Sequence, residues 1–231
     1  MREPGDYPAN VSLVFLCFTN RSGSHYLAEL LASGGVYNRA SEILNWPAIL
    51  EISKRRGFRR FHDFFVEIVT RQQKSGYFFV KAAMAHLEIL ARSGALDQVI
   101  DRSRFVLIER NDKLAQAISF AIAYETGAFS SGAAPMVEAH EAEYSRNAIQ
   151  RYLNSITLAY RQFALFFART GIVPARVIYE RLVADPAGEA SWLARELGLA
   201  DFRADPSAVR LERQHGPANE EWRRRFLSER Q

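Results

Sequence analysis

The sequence predicts an α/β fold in which a central parallel sheet is covered by helices on both faces. Four short apolar runs lack the alternation of a half-exposed sheet, which is typical of strands buried on both faces. Helical patterns separate these runs, and strands that alternate with helices pair in parallel. The runs are VSLVFLCF (11–18), YFFVK (77–81), RFVLIE (104–109) and ARVIYE (175–180).

The helical patterns fill the connections in chain order. They are residues 24–33, FHDFFVEIVTRQQ, AHLEILARSG, DKLAQAISFAIAYETG and a long stretch from about Glu138 to Thr170. Gly171 directly after the long stretch is a suitable C-cap. After an irregular segment over 199–219, NEEWRRRFLSER predicts a final helix with Asn219 as its N-cap and two acids in its first turn.

Length and composition indicate one soluble domain. The chain has 231 residues, 48% of them hydrophobic and 24% charged, which suffices for one well-buried core. We expect a single domain over 1–231, with an α/β core at about 11–198 and a C-terminal segment at 199–231. No apolar stretch has the length of a membrane span, and the N-terminus lacks a secretion signal. The lone cysteine, Cys17, excludes a disulfide framework, so we expect a cytoplasmic protein.

The charge pattern fits an anionic ligand. Only four of the 30 basic residues are lysine, and arginine is the side chain that grips phosphate in a bidentate manner. A GC-rich genome would explain the same arginine content. The net charge of +4 comes from basic residues with acids between them, whereas nucleic-acid binders concentrate their basic residues in a stripe. We therefore expect no nucleic-acid partner.

The segment TNRSGS, residues 19–24, joins the first strand to the first helix and predicts an anion site. It places backbone N–H groups at a helix N-terminus, where the helix dipole favours negative charge. Gly23 allows a close backbone approach, Ser22 and Ser24 offer hydroxyl groups, and Arg21 supplies a permanent charge. The segment lacks the lysine and the second glycine of a Walker A motif, which argues against hydrolysis of ATP with magnesium. By itself, such a segment is also compatible with an ordinary strand-to-helix turn.

A second candidate anion site follows the third strand. Arg110 stands just past the end of that strand, and Ser119 lies two turns into the next helix. Ligands collect at the carboxyl ends of strands in open parallel sheets, so both side chains would reach a phosphate beside the first loop. The alternative is that Arg110 is a solvated loop cation and Ser119 an ordinary helix residue.

Four segments in register resemble the sulfotransferases, most closely the bacterial trehalose 2-sulfotransferase family. They are TNRSGSHYLAELLASGG, ERNDKLAQAIS, RVIYERLVADPAGEASWLARELGL and RQHGPANEEWRRRF. The resemblance implies a three-layer, P-loop-like fold. It also implies a donor, 3′-phosphoadenosine 5′-phosphosulfate, that carries phosphate at both ends of its ribose. The acceptor would be a small molecule with a hydroxyl group, such as a sugar or glycolipid, and the family's dimerisation makes a homodimer an open alternative.

The resemblance also assigns roles to individual residues. It makes the first loop the cradle of the 5′-phosphosulfate and the second site the holder of the 3′-phosphate. Tyr179 would lie near the adenine, unless it is a core residue of the fourth strand. The tail would close over the nucleotide. The residues that the resemblance assigns to the donor are Arg21, Ser22, Gly23, Ser24, His25, Arg110, Ser119, Tyr179, Arg213, Gln214, Trp222 and Arg225.

Two positions depart from the family pattern. The family usually has proline where Asn20 stands and threonine where His25 stands. His25 keeps its backbone N–H but replaces a small hydroxyl with a ring. The replacement would weaken donor binding, alter its pH dependence or have no effect; a catalytic histidine is the remaining alternative.

Three side chains are candidates for the chemistry of sulfonate transfer. Glu42 in YNRASEILNW is the candidate base, because the family carries a glutamate about this far beyond the loop and burial would raise its pKa toward neutrality. Alternatively, Ser41 is a helix N-cap and Glu42 a first-turn acid. Arg21 is the first candidate for the cation beside the leaving phosphate. Lys81, at the end of the second strand, is the second candidate, unless it is a strand-end lysine that reaches solvent.

The sequence indicates no metal site and no hydrolase. The histidines do not form a metal-binding pattern, and no GxSxG motif is present. We therefore expect a transferase that needs no metal. Two rival hypotheses remain: a non-catalytic nucleotide- or partner-binding domain on the same scaffold, and a divergent kinase that uses ATP.

Overall fold

The computed structural model describes residues 7–129, 139, 141–199, 202–209 and 216–229. The strands are β1 Ser12–Cys17, β2 Tyr77–Ala82, β3 Ser103–Glu109 and β4 Ala175–Ile178. The helices are α1 Ser24–Ser33, α2 Trp46–Arg56, α3 Phe61–Gln72, α4 Met84–Arg92, α5 Ala95–Val99, α6 Lys113–Thr126, α7 Arg146–Thr170, α8 Tyr179–Ala184, α9 Pro186–Glu196 and α10 Pro217–Ser228.

The four strands form one parallel sheet in the order β2-β1-β3-β4. In the register, Phe15 of β1 lies opposite Val80 of β2 and opposite Phe105 of β3. The chain leaves β1 toward β2 on one side and leaves β3 toward β4 on the other. The carboxyl ends of β1 and β3 therefore flank a topological switch point, which is where open α/β sheets bind ligands.

The side chains of β1 alternate between two apolar cores because successive residues point to opposite faces of the sheet. Leu13, Phe15 and Cys17 pack against α3, α4 and α7. Val14 and Leu16 pack against α1 and α9 on the other face. The predicted α/β class, with helices on both faces of a parallel sheet, is confirmed.

A third apolar cluster joins the C-terminal helix to the main body. Ile118 of α6, Ile149 of α7 and Trp222 and Phe226 of α10 are buried together. The Trp222 ring lies edge-on to Tyr144, with the ring centroids 5.6 Å apart. The tail helix is thereby fixed against the helix that follows Arg110.

The structure corrects three details of the predicted elements. The fourth strand ends at Ile178, so Tyr179 begins a helix and is not a strand residue. The long helix begins at Arg146, where the Ser145 side chain accepts the Ala148 N–H and fixes the first turn. The last helix begins at Pro217 after an N-cap at Gly216.

Asn219, the predicted N-cap of this last helix, occupies its third position, and its Oδ1 accepts the Gly216 N–H at 3.0 Å. The Asn219 side chain thus caps the N-terminus of the helix from within its first turn. Among the described helices, none combines the length and the apolar character needed to traverse a bilayer.

Candidate functional site

The loop after β1 has the backbone shape of an anion cradle. Arg21 and Gly23 are left-handed, with φ of 62° and 89°, and the residue between them, Ser22, is fully buried. Because the two left-handed residues flank Ser22, successive backbone N–H groups of the loop point to one side. The first N–H groups of α1 come directly after them in the chain. The Ser22 Oγ is buried and makes no hydrogen bond within the described residues. The loop therefore presents donors suited to a phosphate.

Arg21 and Arg110 come together at the switch point. The Arg21 Nε donates to the Ser119 Oγ at 3.0 Å, and the Arg21 Nη1 donates to the Phe129 carbonyl at 2.9 Å. Burial and then the positive charge of Arg110 lower the pKa of Arg21. Because two guanidinium groups repel each other, a polyanion between them would relieve this repulsion.

Tyr179 links the two predicted anion sites. The Arg110 guanidinium stacks 4.6 Å from the centroid of the Tyr179 ring. The same ring covers Gly23 so closely that a Cβ at this position would overlap its carbons. Tyr179 is half-buried, and its place at the start of α8 puts it beside the cradle. Its position therefore does not fit the alternative of a strand core residue.

A buried polar network that the sequence did not reveal connects the loop to α6 and α7. The Gln116 Nε2 donates to the Thr19 Oγ1 at 2.8 Å and to the Asn20 carbonyl at 2.7 Å. The Tyr160 hydroxyl donates to Gln116 and accepts the backbone N–H of Arg110 at 3.2 Å. Gln116 is fully buried, and a glutamine among the mostly apolar residues of this helix was the available signal in the sequence. The network fixes the loop relative to Arg110.

His25 is held by a side-chain network of its own. An Arg39 guanidinium nitrogen lies 2.8 Å from the His25 Nε2, and Arg39 is also paired with Glu29. Burial, then Lys81 and Arg39, lower the pKa of His25. With Nε2 as the acceptor, the neutral ring carries its proton on Nδ1. Arg39 is therefore a functional candidate that sequence reasoning missed.

Glu42 and Lys81 form an ion pair beside the loop. The Lys81 Nζ lies 2.6 Å from the Glu42 Oε1 and 4.5 Å from the centroid of the Phe18 ring. Lys81 is buried, whereas the Glu42 side chain is 43% exposed, so the expected shielding of Glu42 from water is absent. Lys81 lies at the end of β2 but does not extend to solvent, so the alternative of a strand-end lysine that reaches solvent is wrong.

Glu42 reaches this position because its segment runs along the edge of β2. The Asn38 side chain pairs with both backbone groups of Phe79, and the Ser41 carbonyl accepts the Lys81 N–H at 3.0 Å. The next helix begins only at Trp46, with Asn45 as its N-cap. The alternative of Ser41 as an N-cap and Glu42 as a first-turn acid is therefore wrong.

A cavity of about 310 Å³ opens between the β1 loop, the start of α4 and α7. Glu42 and His86 are among its lining residues. His86 is buried, and its Nδ1 accepts the Ala83 N–H at 3.1 Å. Burial lowers the pKa of His86; the charge of Glu42 and a hydrogen bond with the Lys81 backbone raise it, and the charge of Lys81 lowers it. In the sequence, nothing predicted a role for His86, because the histidines do not form a metal-binding pattern.

The two predicted tail residues that the structure describes, Trp222 and Arg225, pack among the helices and are not gathered with the loop. Trp222 is a core residue of the α6–α7–α10 cluster, and the Arg225 guanidinium lies 3.9 Å from the centroid of the Tyr144 ring. Arg213 and Gln214 lie outside the described residues. Within the described part of the tail, Arg223 reaches the start of α6, and sequence reasoning missed it. Arg223 contacts Asp112, the N-cap of α6, at 2.8 Å.

One family model matches most of the chain. The model of the Stf0 sulphotransferase family matches residues 13–229. The crystal structure of a sulfotransferase from Alicyclobacillus acidocaldarius matches with a TM-score of 0.55 and 15% identity over 93% of this chain and 90% of that one. The sulfotransferase domain of the Synechococcus PCC 7002 olefin synthase matches with a TM-score of 0.46 and 14% identity over 98% of both chains. No curated protein matches significantly.

The likeness to the Alicyclobacillus acidocaldarius enzyme shows a shared fold and confirms the predicted three-layer, P-loop-like class. Within the described ranges, no group of histidine, cysteine, aspartate and glutamate side chains is arranged to hold a metal ion.

The environment of His86 predicts a pH-dependent stability. Because the folded pKa lies below its ordinary value, the unfolded chain binds a proton first as the pH falls, and stability is lost from about pH 6.5 downward. His86→Asn keeps an acceptor for the Ala83 N–H but does not titrate. Chemical denaturation at about pH 7.5 and about pH 5 should show a smaller loss of unfolding free energy for the variant than for the wild type. An equal loss in both proteins would contradict the assignment.

Proposed function

The chain belongs to the Stf0 sulphotransferase family, and on that premise we propose that it transfers a sulfonate group from 3′-phosphoadenosine 5′-phosphosulfate to a hydroxyl group of a small molecule. Family membership makes the protein a transferase. The donor, the acceptor and the catalytic residues are the proposed part. Carbohydrates, glycolipids and related metabolites are the acceptor classes that the family resemblance suggests.

The convergence of Arg21 and Arg110 carries the proposal. A mononucleotide with one phosphate cluster would need one anion site, whereas this donor has phosphates at both ends of the ribose. The β1 loop offers a cradle to the 5′ end, and Arg110 offers a cation to the 3′ end. The Tyr179 ring contacts the residues of both sites. Three observations support the fit: the buried Ser22 hydroxyl, the left-handed loop and the close Gly23–Tyr179 contact.

Glu42 and Lys81 are the proposed catalytic pair. When bound, the donor supplies an activated sulfonate on a good leaving group, so the protein has to position the acceptor and accept its proton. Glu42 lines the cavity next to the loop, and the second oxygen of its carboxylate is available to a hydroxyl group. Lys81 fixes the first oxygen and thereby orients the base. Arg21 is the proposed cation beside the leaving phosphate.

The C-terminal segment is proposed to close over the nucleotide, with Arg213, Gln214, Trp222 and Arg225 carried over from the family pattern. The ion pair between Arg223 and Asp112 supports this role, because it ties α10 to the helix that follows Arg110. In this arrangement, Trp222 anchors the closing segment through its buried ring.

Nucleotide binding tests the donor assignment. Adenosine 3′,5′-bisphosphate at about one hundred times its dissociation constant should add about 2.7 kcal/mol to the free energy of unfolding, because only the folded protein binds it. ATP with magnesium should add far less. Thermal denaturation with each ligand measures the difference. An absent shift with the bisphosphate would exclude the proposed donor. A larger shift with magnesium ATP would also exclude this donor and would favour a kinase.

Glu42→Gln tests the proposed base. The amide retains an oxygen for Lys81, so the buried ammonium keeps a partner and the fold should survive. Turnover should fall by about 100-fold or more, as loss of a general base predicts. Bisphosphate binding should stay within about twofold, since the donor contacts are unchanged. Steady-state kinetics and calorimetry provide the two readouts. Unchanged turnover in the variant would contradict the role of Glu42. If the wild type binds the nucleotide but transfers no sulfonate group, the non-catalytic alternative is favoured.

A further inference from the structure

A contact between Arg39 and His25 lies at the first turn of α1, next to the proposed phosphate cradle. We propose that Arg39 holds the His25 ring in its neutral form with the proton on Nδ1, so that His25 is an uncharged hydrogen-bond donor to the 5′-phosphate of the nucleotide. The inference rests on the proposed donor. It adds one binding residue, His25, and one positioning residue, Arg39.

The contact decides which nitrogen of the His25 ring accepts a hydrogen bond. The Arg39 Nη2 lies 2.8 Å from the His25 Nε2, and a guanidinium group only donates hydrogen bonds. Nε2 therefore keeps its lone pair for Arg39, and the neutral ring carries its proton on Nδ1. The Glu29 Oε1 lies 3.7 Å from the same nitrogen, which is too far for a hydrogen bond that would place a proton on Nε2.

Arg39 is itself held by a carboxylate on the same helix as His25. The Arg39 Nε forms an ion pair with Glu29. Glu29 follows His25 by four residues in α1, and residues four apart lie on the same face of a helix. The ion pair therefore holds the guanidinium group over the face of α1 that carries the histidine ring.

The Nδ1 of His25 lies close to the entrance of α1. His25 is the second residue of this helix, directly after Ser24, and helical side chains incline toward the N-terminus. Nδ1 is the ring nitrogen closer to the backbone, and it forms no hydrogen bond among the residues that the structure describes. In the same loop, the fully buried Ser22 hydroxyl has no hydrogen-bond partner in the described ranges either. Both groups can therefore bond to an anion in the cradle.

The charges around the ring favour its neutral form. Burial is the largest cause that lowers the pKa of His25, and the charges of Lys81 and Arg39 lower it further. Glu29 and Glu42 act in the opposite direction with smaller effects. These four charged groups come from α1, from β2 and from the segment between α1 and α2. A proton on Nε2 would also point at the Arg39 guanidinium, which offers no acceptor.

A neutral donor has a consequence for binding. An imidazole ring with a fixed Nδ1–H keeps this donor at every pH above its pKa. Because the pKa of His25 lies below its ordinary value, its contribution to nucleotide binding should not vary from about pH 6.5 upward. A histidine that titrated in this range would instead bind phosphate more tightly as the pH fell.

NMR of the ligand-free protein tests the protonation state. Correlation spectra of ring protons and nitrogens at about pH 7.5 distinguish the Nδ1–H form from the Nε2–H form that a free imidazole side chain favours. A spectrum of His25→Asn identifies the signals of His25 among the five histidines. We expect the Nδ1–H form in the wild type and mainly the Nε2–H form, with a higher pKa, in Arg39→Met. A wild-type ring in the Nε2–H form would overturn the inference, whether or not the nucleotide binds.

Arg71→Met is the matched control. Arg71 also forms an exposed ion pair with a glutamate on a helix, Glu67, and its side chain is 59% exposed, compared with 54% for Arg39. Exposed ion pairs contribute little to stability, so both variants should fold. The control should keep the wild-type protonation state and pKa of His25. Equal changes in the two variants would overturn the role of Arg39.

Two nucleotides test the contact with the 5′-phosphate. Calorimetry compares adenosine 3′,5′-bisphosphate with adenosine 3′-monophosphate on the wild type, His25→Leu and His25→Asn. His25→Leu should bind the bisphosphate about tenfold more weakly, as expected for loss of a hydrogen bond to a charged group, and should bind the 3′-monophosphate as the wild type does. The amide of His25→Asn can donate from the place of Nδ1, so this variant should recover most of the affinity.

The pH dependence of binding tests the role of Arg39. Between about pH 7.5 and about pH 5.5, Arg39→Met should gain bisphosphate affinity relative to the wild type, because its His25 ring takes up a proton and becomes a cation. An identical pH profile in the two proteins would overturn the positioning role of Arg39.

The outcomes separate this inference from the proposed donor. Unchanged bisphosphate affinity in His25→Leu, or an equal loss for both nucleotides, would overturn the role of His25 while the donor assignment stands. A wild type that does not bind the bisphosphate would overturn the proposed donor and, with it, this inference.

Discussion

The arrangement of the site depends on two like charges held close together. Arg21 and Arg110 come from different connections of the sheet, yet the charge of Arg110 contributes to lowering the pKa of Arg21. A protein does not gain stability from such a pair, so surrounding contacts must hold it. Gln116 and Tyr160 fasten the β1 loop to α6 and to the Arg110 backbone, and Tyr179 stacks under the Arg110 guanidinium. These contacts hold the two cations in place for the anion that we propose.

The same loop separates two regions with different chemistry. Its last residues, from Arg21 to Ser24, form the proposed phosphate cradle, whereas Thr19 and Asn20 at its start line the cavity beside Glu42. The Lys81–Glu42 pair stands at the end of the neighbouring strand. In the proposed transfer, the sulfonate group would pass from the cradle to an acceptor beside this carboxylate.

Strand burial and loop composition made the fold and the core of the site predictable. The four apolar runs fixed the strands to within a few residues, and the parallel topology then brought the ends of β1 and β3 together. Residues that act through side-chain networks were not predictable in this way. Gln116, Arg39 and Arg223 lie at least 14 residues from their partners in sequence, and their roles depend on tertiary contacts alone. Tyr179 was assigned to the adenine by the family resemblance, but its strand ends two residues earlier than predicted.

The most direct test compares two nucleotides on two proteins. Calorimetry gives the dissociation constants of adenosine 3′,5′-bisphosphate and adenosine 5′-monophosphate for the wild type and for Arg110→Gln. If Arg110 holds a second phosphate, the wild type binds the bisphosphate at least about tenfold more tightly than the monophosphate, as expected for a charge-assisted hydrogen bond. The variant loses this preference, while its affinity for the monophosphate is nearly unchanged. A variant that retains the full preference, or loses affinity for both nucleotides equally, would contradict a site that holds both ends of one nucleotide.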